Sequence, residues 1–275
     1  MHRPGSTTAR ARAGPTTVLD RIVVDVRVRL GRRMAEVGLA ELRARARGTA
    51  DRDPGAVIAA LRGDTGVRVI VEVKRVSPAA GPLAAVADPG ALAESYALGG
   101  AAAISVLTEP DHFGGSLGDL VDVRSRVPVP VLCKDVVVDG YQVVEAAAHG
   151  ADLVLLIAAA LPQVALVSLL EEARRWGLVP LVETHTADEV ARAADAGAEV
   201  IGVNNRDLAT LEVDRGAFGR LAAAIPRRCG PGRGVRRARA GRRPSVRGGG
   251  ADAVLVGSVL VATTTPLPRS PRWWR

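Results

Sequence analysis

The sequence has almost no lysine: only two of its 37 Lys and Arg residues, Lys74 and Lys134, are lysines. Arginine is the default cation of this chain, so a retained lysine suggests a site that needs a compact amine with an adjustable pKa. Each lysine follows an apolar run, Val67–Val73 in one case and Val129–Cys133 in the other. Both amines are therefore predicted to lie at the ends of strands.

Other scarcities exclude whole classes of protein. Aromatic residues make up 3% of the chain, so the core must be aliphatic. Two cysteines, Cys133 and Cys229, give no disulfide framework, and we expect a reducing cytoplasm. There is no apolar run of about 18 residues and no apolar stretch after the basic N-terminus, so neither a membrane span nor a secretory signal is predicted.

No His/Asp/Glu cluster has metal-ligand spacing, and no glycine-rich nucleotide fingerprint is present, so we predict neither a metal nor an organic cofactor. The net charge of +8 could indicate nucleic-acid binding. Nine arginines and no acid lie between Arg227 and Gly250, however, and the other residues together carry −1. That segment lacks aromatics and regular spacing, so no nucleic-acid partner is predicted.

From residue 67 onwards, a short Val/Ile/Leu run, a polar loop and an Ala-rich amphipathic stretch repeat along the chain. The apolar runs that predict strands are Val69–Val73, Ala103–Leu107, Val129–Cys133, Leu153–Ile157, Val179–Val182, Val200–Val203 and Ala253–Val256. Continuous apolar strands alternating with helices indicate a parallel sheet that is buried on both faces. The long gap before Ala253 leaves room for an eighth unit. The pattern predicts an α/β fold, a TIM (β/α)8 barrel, with a doubly wound open sheet as the alternative.

The barrel is predicted to span 67–262. Helical stretches Val18–Val37 and Leu39–Arg47 place extra helices over one end of it, within 17–66. Residues 1–16 are expected to be a disordered extension and 263–275 an irregular tail. Residues 227–250 have no strand period, and the tail does not have a helical pattern, so the seventh strand unit and the eighth helix are not predicted with the rest.

Catalytic groups of such barrels lie at the carboxyl ends of the strands. Glu72 and Lys74 are two residues apart and share one strand face, which in a barrel is the interior, where an ion pair is costly unless it serves a site. In an open sheet they could be an edge pair. Asn204 could belong to a turn, and Gly257 offers an amide to an anion. Together with Lys134 and Glu183, the set suits acid–base chemistry on an anionic sugar phosphate.

Several ordered strings resemble the indole-3-glycerol phosphate synthase family. They are Val71–Pro78 (VEVKRVSP), Ile104–Glu109 (ISVLTE), Val131–Asp135 (VLCKD), Leu181–Glu183 (LVE), Ile201–Leu208 (IGVNNRDL) with Thr210–Asp214 (TLEVD), and Ala251–Ser258 (ADAVLVGS). The resemblance runs from about Val18 to Pro226 and resumes at Ala251. It implies a carboxy-lyase of tryptophan biosynthesis, which closes a ring with decarboxylation and dehydration.

The resemblance also implies roles. The substrate is expected to be 1-(2-carboxyphenylamino)-1-deoxyribulose 5-phosphate, with Lys134 as general acid, Glu183 as general base, and Lys74 near the substrate carboxylate. Glu72 and Asn204 would orient these groups. The residues expected to bind substrate are Arg206, Ser77, Pro78, Phe113, Gly257 and Ser258. No cofactor, membrane or nucleic acid is implied, and we expect a monomer or weak oligomer.

The chain departs from the family pattern at three places. Val136 stands where the family has a phenylalanine against the aromatic ring of the substrate. Residues 227–250 lack the seventh-strand Glu-Ser-Gly, and 263–275 lack the closing helix. We interpret the second departure as a pair of compensating frameshifts, because one codon spelling of Gly234–Arg237, read one base later, encodes Glu-Ser-Gly. The alternatives are a natural basic loop and a barrel of the same ancestry that has lost activity.

Overall fold

The computed structural model describes residues 17–49, 52–62, 66–77, 81–82, 86–206, 214, 216–225, 235–238 and 250–257. Its eight parallel strands close into a barrel in which every strand pairs with its neighbours in chain order. The strands are β1 (Arg68–Val73), β2 (Ala103–Leu107), β3 (Val131–Lys134), β4 (Leu153–Ile157), β5 (Val179–Thr184), β6 (Val200–Val203), β7 (Val235–Ala238) and β8 (Ala253–Val256). The α/β barrel prediction is confirmed, and the open-sheet alternative is wrong.

The apolar runs form strands because both of their faces are buried. All five residues of β2 and of β4 are buried, as are the last five of β1. β-Branched and leucine side chains suit such doubly covered strands. The ring is closed by the pairing of β1 with β8, in which Arg68 lies opposite Ala253 and Val71 opposite Val256.

The seventh strand differs from what the sequence predicts. Val235–Ala238 lies within the arginine-rich segment, yet its backbone pairs with β6 through Gly202 and with β8 through Ala253. A slot between two parallel strands has unpaired backbone groups on both sides, and these favour an extended segment of almost any composition. The rest of 226–249 lies outside the described residues, as do the tail at 263–275 and the N-terminal extension at 1–16.

Helices follow the strands and cover the barrel. They are α4 (Pro89–Leu98), α5 (Pro110–Phe113), α6 (Leu117–Arg126), α7 (Gly140–Ala148), α8 (Gln163–Arg175), α9 (Ala187–Asp195) and α10 (Ala217–Leu221). Glycines with a positive φ follow two of these helices: Gly150 after α7, with φ +85°, and Gly100 after α4, with φ +90°. Gly99, which directly follows α4, remains right-handed.

Three helices precede the barrel: α1 (Val18–Glu36), α2 (Leu39–Gly48) and α3 (Pro54–Arg62), the last of which the sequence analysis missed. A capping box begins α1, in which the Thr17 hydroxyl accepts from the Asp20 amide at 3.1 Å and Asp20 accepts from the Thr17 amide at 2.9 Å. The buried stripe of α1 consists of Leu19, Ile22, Val26 and Leu30. This amphipathic face attaches the helix to the barrel.

Polar contacts join the N-terminal segment to the barrel on two sides. On the first side, they come from the residue after α1 and from the segment after α2. The Tyr141 hydroxyl at the start of α7 donates to the Val37 carbonyl at 3.0 Å, and Arg52 Nε donates to the Ala151 carbonyl at 2.9 Å. On the other side, Asp25 and Arg29 of α1 contact the segment that follows β2. No helix of the described residues has the length and hydropathy needed to cross a membrane.

Candidate active site

One buried carboxylate joins the two lysines of the chain. Glu72 Oε1 lies 3.9 Å from Lys74 Nζ, and Glu72 Oε2 lies 3.4 Å from Lys134 Nζ. The side chain of Glu72 is 1% exposed, and those of Lys74 and Lys134 are 8% and 7% exposed. β1 and β3 thus bring together three groups that the sequence places at strand ends.

The formal charge of this cluster is positive, because two ammonium groups share one carboxylate. Burial of like charges is costly, and an anionic ligand relieves that cost. Lysine presents a compact amine that can release its proton at these positions, whereas the guanidinium of arginine is planar and stays charged. An anion that enters this end of the barrel therefore meets two amines held in fixed positions.

Phe113 reaches the same cluster from the one-turn helix α5. The Lys74 ammonium lies 5.4 Å from the centre of the Phe113 ring, within the range of a cation–π contact. Helix α5 ends at Gly114, whose φ of +64° reverses the chain. The position of Phe113 therefore depends on how α5 is held.

Helix α5 is held by Glu109, which the sequence comparison placed at the end of the ISVLTE string without a role. The Glu109 carboxylate is fully buried and accepts from the amides of Asp111 at 3.3 Å and His112 at 2.7 Å. It also forms an ion pair with Arg29 of α1, which contacts Asp111 as well. His112 Nε2 lies 3.0 Å from Asp25 Oδ2. Helix α1 thus anchors the segment that carries Phe113, a contact that no local pattern indicated.

A second buried pair lies at the ends of β5 and β6. Asn204 Nδ2 donates to Glu183 Oε1 at 2.8 Å, and the Arg206 amide donates to Asn204 Oδ1 at 3.0 Å. Glu183 and Asn204 are 8% and 4% exposed. The amide side chain thus fixes one carboxylate oxygen of Glu183 and the turn that leads to Arg206. The side chain of Asn204 therefore both accepts from the backbone two residues later and orients the carboxylate.

Gly257 at the end of β8 packs against Glu72. A Cβ at position 257 would lie 2.8 Å from Glu72 Oε1, so only glycine fits here without displacing the carboxylate. Ser77 lies in a short two-stranded ribbon, Val76–Ser77 with Gly81–Pro82, directly after β1. Pro78 and Ser258 lie outside the described residues.

The segment after Lys134 is buried and fixed by one side chain. Gln142 Nε2 donates to the Val136 carbonyl at 3.0 Å, and Gln142 Oε1 accepts from the Val138 amide at 2.9 Å. Val136, the residue that departs from the family pattern, is 4% exposed. Among the residues that the structure describes, no three His, Cys, Asp or Glu side chains converge as a metal site.

His185 and Glu189 complete the environment of Glu183, and both were missed from the sequence. His185 Nε2 lies 3.8 Å from Glu183 Oε1, and its Nδ1 lies 3.3 Å from Glu189 Oε2. The sequence held one signal: His185 stands two residues after Glu183 and therefore leaves the strand on the same side. This spacing alone does not single out His185, because it does not show that the imidazole turns back toward the Glu183 carboxylate.

Comparison with known proteins agrees with this geometry. Residues 19–266 match the family model described as indole-3-glycerol phosphate synthase. Indole-3-glycerol phosphate synthase 1 of Streptomyces coelicolor is 56% identical over 255 residues, covering 91% of this chain and 92% of the relative. The indole-3-glycerol phosphate synthases of Mycobacterium avium and Mycobacterium tuberculosis are 52% and 50% identical over 257 residues, covering 92% of each chain.

A solved structure, a thiamine phosphate pyrophosphorylase from Pyrococcus furiosus, aligns with a TM-score of 0.50 and 16% identity over 73% of this chain and 89% of its own. At that identity the likeness concerns the fold alone. The sequence relatives and the family model together carry the assignment: the chain belongs to the indole-3-glycerol phosphate synthase family.

Proposed function

We propose that Lys134 and Glu183 are the acid and base with which this chain converts 1-(2-carboxyphenylamino)-1-deoxyribulose 5-phosphate into indole-3-glycerol phosphate. The aryl carbon attacks the ketose carbonyl carbon while the Lys134 ammonium protonates the carbonyl oxygen. The aryl carbon that formed the new bond then loses its carboxylate as carbon dioxide. The benzene ring is then aromatic again. A proton from solvent lets the new hydroxyl leave as water, and Glu183 accepts a proton from the ring methylene beside the nitrogen, which completes the indole.

The observation that carries the proposal is the bridge from Glu72 to both amines. Glu72 lies 3.4 Å from the Lys134 ammonium and 3.9 Å from the Lys74 ammonium. Its negative charge offsets the repulsion between the two ammonium groups, so they can stay close together. We assign Lys74, whose ammonium contacts the Phe113 ring, to the substrate carboxylate until it leaves as carbon dioxide. Asn204 keeps Glu183 oriented for the later step.

Phosphate binding is assigned to Gly257, Ser258 and Ser77. Pro78 is assigned to substrate binding without a stated contact, and Arg206 to a substrate hydroxyl or carboxylate. Gly257 lies beside Glu72. The positive charges of the two lysines, which pair with Glu72, offset the charge of an anion that binds near the Gly257 amide. We also propose that one chain carries a whole site, as a monomer or weak oligomer in a reducing cytoplasm, which agrees with the free, buried thiol of Cys133.

The test compares Lys134→Arg with Lys74→Arg. The first keeps a positive charge beside Glu72 but removes a donor that can release its proton, because arginine has a pKa above about 12. We expect Lys134→Arg to lower turnover at least about 100-fold while substrate still binds. Lys74→Arg should mainly raise KM. Near wild-type turnover of Lys134→Arg, measured by indole fluorescence at saturating substrate, would refute the acid role.

A further inference from the structure

The imidazole of His185 has one nitrogen in use and one that faces Glu183. Its side chain is 12% exposed, and Nε2 is buried without a hydrogen bond to any residue in the described part of the chain. The nearest carboxylate atom paired with Nε2 is Glu183 Oε1, at 3.8 Å. A buried ring nitrogen that makes no hydrogen bond costs free energy, so its place beside the proposed base calls for an explanation.

Glu189 fixes which nitrogen carries the proton. Its Oε2 accepts from the His185 backbone amide at 2.7 Å and lies 3.3 Å from His185 Nδ1. Burial works to raise the pKa of Glu189, but the hydrogen bonds from His185 and Thr186 outweigh it and lower that pKa. An ionised carboxylate only accepts hydrogen bonds, so in the neutral form of the ring Nδ1 carries the hydrogen and Nε2 presents a lone pair.

The 3.8 Å gap follows from this tautomer. An ionised Glu183 and a lone pair on Nε2 are both acceptors, and two acceptors cannot form a hydrogen bond. The contact becomes favourable only after Glu183 has gained a proton, because its O–H can then donate to Nε2. His185 Nε2 is therefore a proton acceptor located next to the proposed base, Glu183.

We propose that His185 is a positioning residue for Glu183 and the group to which Glu183 passes its proton. In that step the Glu183 O–H bond breaks and an Nε2–H bond forms, which restores the Glu183 carboxylate and leaves an imidazolium. Glu189 stabilises this cation, as the carboxylate of a Ser-His-Asp triad stabilises its imidazolium. The Nε2 proton then passes to water that enters the site as product leaves, which restores the Nδ1–H ring, while Glu189, whose side chain is 14% exposed, stays ionised. The inference rests on Glu183 being the base.

A purely structural role is the alternative, because His185 immediately precedes helix α9. Thr186 is the N-cap of that helix, and its hydroxyl accepts from the Glu189 amide at 3.2 Å. If His185 only supports the start of α9, weakening the cap at Thr186 should have the same effect on the reaction as removing the imidazole. Thr186→Ala is therefore the matched control.

Single-turnover reactions that follow carbon dioxide release and indole fluorescence separately test the proposal. His185→Asn keeps an amide that can donate to Glu189 but has no base at the Nε2 position. We expect it to leave carbon dioxide release unchanged and to slow indole formation about 10- to 100-fold, toward the low end of what a positioned acid–base group contributes. Glu189→Gln should slow the same step less, and Thr186→Ala, which removes only the weakest hydrogen bond to Glu189, should slow it least.

Three results would overturn the proposal: an unchanged indole step in His185→Asn, equal slowing of both steps, or slowing in Thr186→Ala that matches His185→Asn. If His185→Asn does not fold, as judged by circular dichroism, the comparison of Glu189→Gln with Thr186→Ala decides. Glu183→Gln separates the two levels of the account. If it slows indole formation and His185→Asn does not, only the relay is wrong; if it has no effect, the base assignment and the relay are both wrong.

Discussion

Arg29 of α1 should contribute substantially to stability although it lies far from Lys134 in the chain. Replacing it with methionine removes the guanidinium and keeps much of the apolar stem. Glu109, which is fully buried, then loses its ion-pair partner and keeps only the amides of Asp111 and His112. The change therefore leaves a charged carboxylate with incomplete compensation in the protein interior.

The magnitude follows from the burial of the two partners. Removing one member of a buried ion pair costs about 3–5 kcal/mol. Arg29 is 21% exposed and Glu109 keeps two amide donors, so we expect a loss at or just below the lower end of that range, about 2–3 kcal/mol. The second contact of Arg29, to Asp111, adds little, because Asp111 is 57% exposed and surface pairs contribute at most about 1 kcal/mol.

Urea unfolding followed by circular dichroism measures the loss, with Asp111→Asn as the control for the exposed half of the contact. Glu109→Gln in the Arg29→Met background should recover part of the stability, because a neutral amide needs no counter-charge. Arg29→Met should also raise KM, since α5 carries Phe113. If Arg29→Met costs no more than Asp111→Asn, the buried pair does not stabilise the fold and this reasoning is wrong.

Two further predictions concern Glu145 and Gly257. Burial raises the pKa of Glu145 to about 7, although its ion pair with Arg33 at 2.7 Å works to lower it. When the pKa of a carboxyl is higher in the folded than in the unfolded protein, the folded state becomes less stable as the pH rises from the pKa of the unfolded protein toward 7. Thermal unfolding at pH 5 and pH 8 should therefore show a decline in the wild type that Glu145→Gln reduces; an equal decline in both would contradict it. Gly257→Ala, whose Cβ would meet Glu72 Oε1 at 2.8 Å, should lower turnover and substrate affinity with little change in unfolding free energy, and an unchanged kcat/KM would count against the packing described.

Much of the barrel follows from local sequence. β1 and β3 are mostly apolar runs of the kind typical of doubly covered strands, and Lys134 stands at the end of its run. The pairing of Glu72 with both lysines is also predictable in outline, because parallel strands of a barrel end at one rim. The face on which these residues lie follows from the alternation of side chains along a strand, and their height follows from where the strand ends. A single sequence shows both.

The rest depends on partners that are distant in sequence. β7 forms in an arginine-rich segment because β6 and β8 leave a slot for it, which no local period reveals. Arg29 meets Glu109 across 80 residues, and His185 turns toward Glu183 only once α9 has been placed. The frameshift interpretation of 227–250 stays a prediction, which nucleotide sequencing across that segment decides.

The most direct test is product formation by the full chain. Purified protein at saturating 1-(2-carboxyphenylamino)-1-deoxyribulose 5-phosphate is followed by indole fluorescence, with carbon dioxide measured in the same reaction. The account predicts indole-3-glycerol phosphate and carbon dioxide in equal amounts, and loss of both in Lys134→Arg. A folded protein that binds the substrate yet forms neither product would contradict it, and would mean that the arginine-rich segment has cost the chain its activity.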